Sequence, residues 1–275
     1  MSRGPVTIVV AGDDHAHRVL IQRLVDATLE DAGRGGWPDR DELDQARIWF
    51  SREHAPALRG WQMGFYNPKD AKADLSRLPT RSGRPLFSNR RQRGEAVAGD
   101  SAFDDVIQLM NLLDPRPDML VMVRDVDRAH DREVLPRRER SGVVEILGLA
   151  RPEAEAWVLA ALERPDPERV EALRRALGFD PTRNPERCNS APSPSPGRTP
   201  RDAKRVLRVL TRHAEELATA EPLPLPPEAL EMLLEGLADR LAQLVERGAG
   251  CGLAAFCKRL SQALVVPVVG AAPLR

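Results

Sequence analysis

The stretch MLVMVRDVDRAHD, residues 119–131, sets Asp125 and Asp127 one residue apart directly behind an apolar run. Along an extended backbone that spacing puts both side chains on the same side. Two carboxylates held so close repel each other unless a cation neutralises them, and hard oxygen ligands of this kind suit Mg2+ or Mn2+. The plainer alternative is a turn cap beside a solvated carboxylate. A second acidic turn follows the β-branched run PVTIVV (5–10), where Ala11-Gly12 leads into Asp13 and Asp14. Either aspartate is suited to cap the helix-patterned segment that begins there. In a parallel α/β sheet, ligands gather outside the carboxyl ends of the strands, so both turns are candidate site elements.

Such turns need a sheet to hold them. Strand-like runs occur at 5–10, 46–50, 119–123 and 142–150, and helix-period patterns cover 102–113, 153–163 and 167–178, the last closing on Gly178 as a C-cap. Helix followed by buried strand predicts an α/β fold with a mostly parallel sheet flanked by helices, over residues 1–178. Within it, 34–100 reads as a long insertion whose part 67–100, rich in Arg, Pro, Gly, Ser and Asn, is an extended surface loop. Residues 179–200 are rich in proline and serine and read as a linker. A helical C-terminal region, 201–275, then carries leucine-rich patterns at 201–219, 226–247 and 251–264.

The chain of 275 residues has 41 basic and 41 acidic side chains, so any attraction for nucleic acid must come from local clustering. Between Asp74 and Glu95 there is no acid, yet Arg77, Arg81, Arg84, Arg90, Arg91 and Arg93 fall there, with Phe87 as a stacking group. Arg201, Arg205, Arg208 and Arg212 mark a basic side of the 201–219 helix, and Lys204 lies at the edge of its apolar face. Lysine and arginine stems covering apolar surface would explain the same pattern without a ligand. Cys188, Cys251 and Cys257 lack zinc-type spacing and cannot all pair within one chain, which fits a reducing compartment. No window reaches the roughly 20 apolar residues of a membrane span. A cytoplasmic protein without a membrane partner is the expectation.

The order of elements, the DVD after the central strand, and the segments RPEAEAWVLAAL, RDAKRVLRVL and CGLAAFCKRL resemble a Toprim-related family of uncharacterised bacterial proteins. Those proteins are akin to the nuclease domains of OLD-type and RloB-type defence proteins. The resemblance extends over most of the chain except 34–100 and the linker. It implies a Toprim-like sheet, Asp125 and Asp127 as metal ligands, and Glu155 (with Trp157 beside it) as an assisting carboxylate. It also implies that Lys204, shortly after Asp202, contacts the scissile phosphate of a DNA or RNA substrate. An ABC-type ATPase partner and a role in anti-phage defence come with it. The first motif departs from the pattern, because Ala11 stands where such domains carry a glutamate. Asp13 or Asp14 would have to substitute for it, and otherwise the chain would be a degenerate binding or adaptor subunit of an ATPase complex.

DDHAH (13–17) together with Gly99-Asp100 offers a competing metallophosphoesterase reading. That chemistry needs a later Asn-His-Asp segment and further histidine ligands, which the sequence lacks. The dipeptide His130-Asp131 adds no specific signal.

Overall fold

The computed structural model describes residues 5–12, 15–33, 43–78, 100–126, 142–163, 165–189, 202–211 and 227–269. Its centre is a mostly parallel sheet. β1 (Val6–Ala11) pairs in parallel with β2 (Arg47–Trp49) and with β5 (Met119–Asp125), and β5 pairs in parallel with β6 (Val144–Ala150). Beyond the end of β2, Ala11 of β1 is joined by β4 (Phe65–Tyr66), to which β3 (Trp61–Gln62) is antiparallel. The strand order is β3-β4-β1-β5-β6.

Side-chain alternation sends each strand's residues into two cores. Ile8, Val10, Val121, Val123 and Ile146 face one side; Val9, Ala11, Leu120 and Met122 face the other. Both sides are covered, which is why the central strands read as unbroken apolar runs. The first side is packed by α1 (His15–Gly33), which α2 (Leu43–Ala46) follows in the chain. The second is packed by α3 (Ala71–Leu75) and α4 (Asp100–Leu112). After β6 come α5 (Ala154–Ala161) and α6 (Pro167–Leu177). Asp166 caps α6 by accepting from the Glu168 and Arg169 amides, and Gly178 closes it in the left-handed region at φ 78°, as its sequence predicts.

The C-terminal helices α7 (Ala203–Thr211), α8 (Pro227–Leu233), α9 (Leu241–Arg247) and α10 (Leu253–Val269) add residues to the first core. α10 packs on both α1 and β6. The helical C-terminal region is therefore continuous with the sheet's own core. Of the proposed linker, residues 179–189 are structured: Phe179 and Cys188 are buried, and Asn189 forms a parallel bridge with Asp202. The single helix expected over 226–247 is broken. Gly236 adopts φ 64° and a 3-10 turn at Leu237–Arg240 separates α8 from α9, so one leucine period served two short helices. The 67–100 segment also starts with structure, a 3-10 turn at Pro68–Asp70 capped by the Asn67 side chain and then α3. No helix among the described residues is long and apolar enough to cross a membrane.

Trp157 on α5 fixes that helix to the sheet. The side chain is fully buried, its Nε1 donates to the Cys251 carbonyl at 2.7 Å, and its ring lies 5.0 Å from that of Phe256. A Cβ on Gly148 would stand 2.5 Å from the indole, so the close approach of helix to strand requires glycine there.

Candidate active site at the carboxyl edge of the sheet

β1 and β5 are parallel neighbours with Ala11 opposite Met122, so their carboxyl ends lie side by side at one edge. α1 leaves β1 on one face and α4 precedes β5 on the other. In parallel α/β sheets ligands bind outside the carboxyl ends of the strands, which makes this edge the place to look for a site. Asp125 stands at the end of β5, with its side chain 23% exposed. Its Oδ1 accepts from the Ala154 amide at 2.8 Å, the first residue of α5, and lies 3.3 Å from Nε2 of His17. The carboxylate thereby sits on a helix N-terminus, where free amides favour negative charge. His17, on the first turn of α1, is buried.

Glu153 and Glu155 flank Ala154, and Lys204 reaches both from the first turn of α7. Its Nζ lies 3.2 Å from Oε2 of Glu153 and 3.8 Å from Oε1 of Glu155. The three side chains differ in exposure: 3% for Glu153, 14% for Glu155 and 40% for Lys204. Asp202 starts α7 by accepting from the Arg205 amide at 2.9 Å. Burial first, then the charge of Glu155, pushes the Glu153 carboxyl up to about 8, with Asp125 adding to the rise and Lys204 opposing it. For Lys204 burial works against the charge, but Glu155 and Glu153 outweigh it and hold the ammonium above its ordinary value. Among the described residues, one buried oxygen of Glu153, Oε1, has no hydrogen-bond partner.

A raised carboxyl pKa makes stability depend on pH. Between about 4.5, the ordinary value, and about 8, the unfolded chain has lost the Glu153 proton while the folded chain keeps it. The contribution of this group is therefore fully present below about 4.5 and is lost as pH rises to about 8. Glu153→Gln removes the titration. Urea midpoints at pH 5 and pH 8 should fall more for the natural chain than for this variant; equal falls would show that Glu153 titrates as an ordinary carboxylate.

Three of the sequence candidates meet here, Asp125, Glu155 and Lys204, although they lie on β5, α5 and α7. Asp13, Asp14, Asp127, Arg84, Arg90, Arg91, Arg93 and Arg201 lie outside the described residues. Arg205 is partly exposed, with Nε 3.6 Å from Oδ2 of Asp202. Arg208 departs from its expected place on a solvent-facing basic side: it is only 6% exposed. α7 packs against both α5 and α6, so the helix buries more than the one face that its apolar period marks. Sequence reasoning missed Glu153 and His17. The first stands two residues before Glu155 in the same motif, and the second lies in the DDHAH segment, whose histidines point to a metallophosphoesterase pattern instead.

The donor set suits a hard divalent cation, since Asp125, Glu153 and Glu155 offer only oxygen atoms and, among the described residues, one buried oxygen of Glu153 is unsatisfied. Among the described residues, however, no three His, Cys, Asp or Glu side chains converge closely enough to hold a metal ion. Closing such a site would take Asp127 and the 13–14 turn as well. No protein-family model, curated protein or solved structure matches the chain.

Proposed function

We propose that the chain is a metal-dependent, nuclease-like protein that cleaves phosphodiester bonds at a Toprim-type site. The observation that carries this reading is the meeting of Asp125, Glu155 and Lys204 at one edge of a parallel sheet. Those are the positions that the sequence motifs single out. The wider setting, an anti-phage effector working with an ABC-type ATPase, rests on the resemblance of those motifs alone.

Asp125 and Asp127 would hold Mg2+ or Mn2+, which supplies Lewis-acid stabilisation of charge on the phosphate. The chain's own residues do the rest. The Ala154 amide and His17 hold Asp125 in one orientation. Glu155, close to the surface, takes a proton from the attacking water, with Asp13 or Asp14 filling the place of the glutamate that Ala11 replaces. Lys204, the most exposed of the three, neutralises a phosphate oxygen. The test is incubation of the full chain with labelled duplex and single-stranded DNA and RNA. Cleavage that requires Mg2+ or Mn2+ and stops on chelation is expected; binding without cleavage under any of these conditions contradicts the enzyme reading.

One observation favours the adaptor alternative. The Lys204 ammonium already lies against the two glutamates that a divalent ion would otherwise draw on, 3.2 Å from Glu153 and 3.8 Å from Glu155. In that reading the lysine is a built-in counter-ion, and the edge is a binding surface for nucleic acid or for the ATPase.

Nucleic-acid binding itself has an independent test in the basic segment 77–93. Arginines that meet phosphates release counterions, so affinity falls with salt at a slope set by the number of contacts, about 0.7–0.9 per contact. Changing Arg90, Arg91 and Arg93 together to serine should lower affinity for a labelled strand and flatten that slope by roughly 2–3. An unchanged slope would leave this segment as solubilising surface.

A further inference from the structure

Glu153 is an unusual residue for purely structural duty. It is 2% exposed, it lies at the N-terminus of α5 without capping it through its side chain, and among the described residues only one of its two oxygens has a partner. A buried carboxylate with a single lysine partner is seldom a net source of stability, because desolvation consumes most of the Coulombic gain. What the arrangement does achieve is geometric. Lys204 is a flexible four-carbon stem that, left alone, would spread its charge over many rotamers. Here its ammonium is held near one place by two carboxyl groups, 3.2 Å from Glu153 and 3.8 Å from Glu155. The backbone beneath it is fixed too: Asp202 caps the helix start, and the Asn189–Asp202 bridge ties that start to the preceding segment.

We propose that Glu153 is a positioning residue which, buried between the starts of α5 and α7, aims the Lys204 ammonium at the carboxyl edge of the sheet so that it meets a phosphate oxygen of the substrate. The phosphate end of this proposal rests on the phosphodiester reading above; the aiming of Lys204 does not. Glu153 itself is too deeply buried to touch substrate and acts through the lysine. Among the described residues, the charged groups that act on Lys204 are Glu155, Glu153 and Asp125. Its ammonium is therefore set by carboxylates from two other elements, β5 and the start of α5.

The chain has four lysines, Lys69, Lys72, Lys204 and Lys258, so the ammonium signals of a protein labelled with 15N-lysine can be assigned by comparison with Lys204→Met. Three measurements on the full chain test the proposal: the Lys204 titration, the affinity for a mixed-sequence labelled oligonucleotide at low salt, and its metal-dependent cleavage. In Glu153→Gln the side-chain carbonyl still accepts from Nζ, but the group can no longer ionise as pH rises toward the Lys204 titration. The Lys204 pKa should fall, yet oligonucleotide affinity should stay within about threefold, because a neutral partner keeps most of the aim. In Glu153→Ala affinity should fall about tenfold, the loss expected for one charge-assisted hydrogen bond, and Lys204→Met should add little to that loss. Should Glu153→Ala fail to fold, the titration and affinity of Glu153→Gln carry the test. A Lys204 titration that is the same in the natural chain and in Glu153→Gln overturns the positioning role. So do additive losses for the two single changes. A natural chain that never cleaves, but whose Lys204 responds as stated, overturns the nuclease reading and leaves the positioning role standing.

Discussion

Asp125→Ala should abolish metal-dependent cleavage while leaving the oligonucleotide bound. Removing a group that merely supports a metal ligand lowers metal affinity or activity by about 10–100-fold, so the loss of a ligand itself should exceed that range. The alanine change also has a structural cost. It deprives the Ala154 amide and His17 of their acceptor, and a part-buried donor left unsatisfied costs roughly 1–3 kcal/mol. Asp125→Asn separates the two effects, because the amide oxygen still accepts from Ala154 while the ligand charge is gone. Asparagine should match alanine in lost cleavage and approach the natural chain in urea midpoint. Cleavage that survives in both variants would place the chemistry elsewhere.

Trp157→Ala should cost about 3–5 kcal/mol, the range for deleting a large, fully buried aromatic side chain. Three losses combine: the packing against Phe256, the hydrogen bond to the Cys251 carbonyl, and the fill of the space that Gly148 leaves open. Against a typical total of about 5–15 kcal/mol, that is a large share. Trp157→Phe keeps most of the ring and loses only its bond to the Cys251 carbonyl, which still accepts from the Arg151 amide at 3.1 Å, so the cost should be smaller, about 0.5–1.5 kcal/mol. Denaturant midpoints of the two variants order these contributions. Because α5 bears Glu153 and Glu155 and supplies the amide that orients Asp125, Trp157→Ala should also lower cleavage under conditions where it remains folded. A Trp157→Ala midpoint within 1 kcal/mol of the natural chain would mean that this core repacks around the cavity, which the 0% exposure of its neighbours Ala156 and Leu159 argues against.

The sheet was legible because its central strands are buried on both faces. MLVMV and TIVV have no other economical reading, and the acidic residues just behind them mark the edge where polar groups must collect. Asp125, Glu155 and Lys204 were legible by motif and helical phase. Glu153 was not, because PEAE gives two glutamates in equivalent first-turn positions, and only the packing of α7 against α5 decides which one is buried. His17 needed the pairing of β1 with β5 before it could be set against Asp125. Arg208 was misread for a related reason. A helix period shows one apolar face, and arginine falls off it, whereas α7 is covered from two sides and takes the guanidinium inside. The break at Gly236 escaped notice because leucines at 230, 233, 234, 237, 241 and 244 keep a helical spacing straight across it.

The central claim is that the Asp125 edge holds a divalent ion, and Mn2+ titration followed by electron paramagnetic resonance tests it without relying on turnover. The natural chain should take up Mn2+ with defined stoichiometry in competition with Mg2+, and Asp125→Asn, folded and otherwise intact, should lose that uptake. Equal uptake by both proteins, or none by the natural chain, would contradict the account and leave the Lys204 ammonium as the only cation this carboxylate cluster uses.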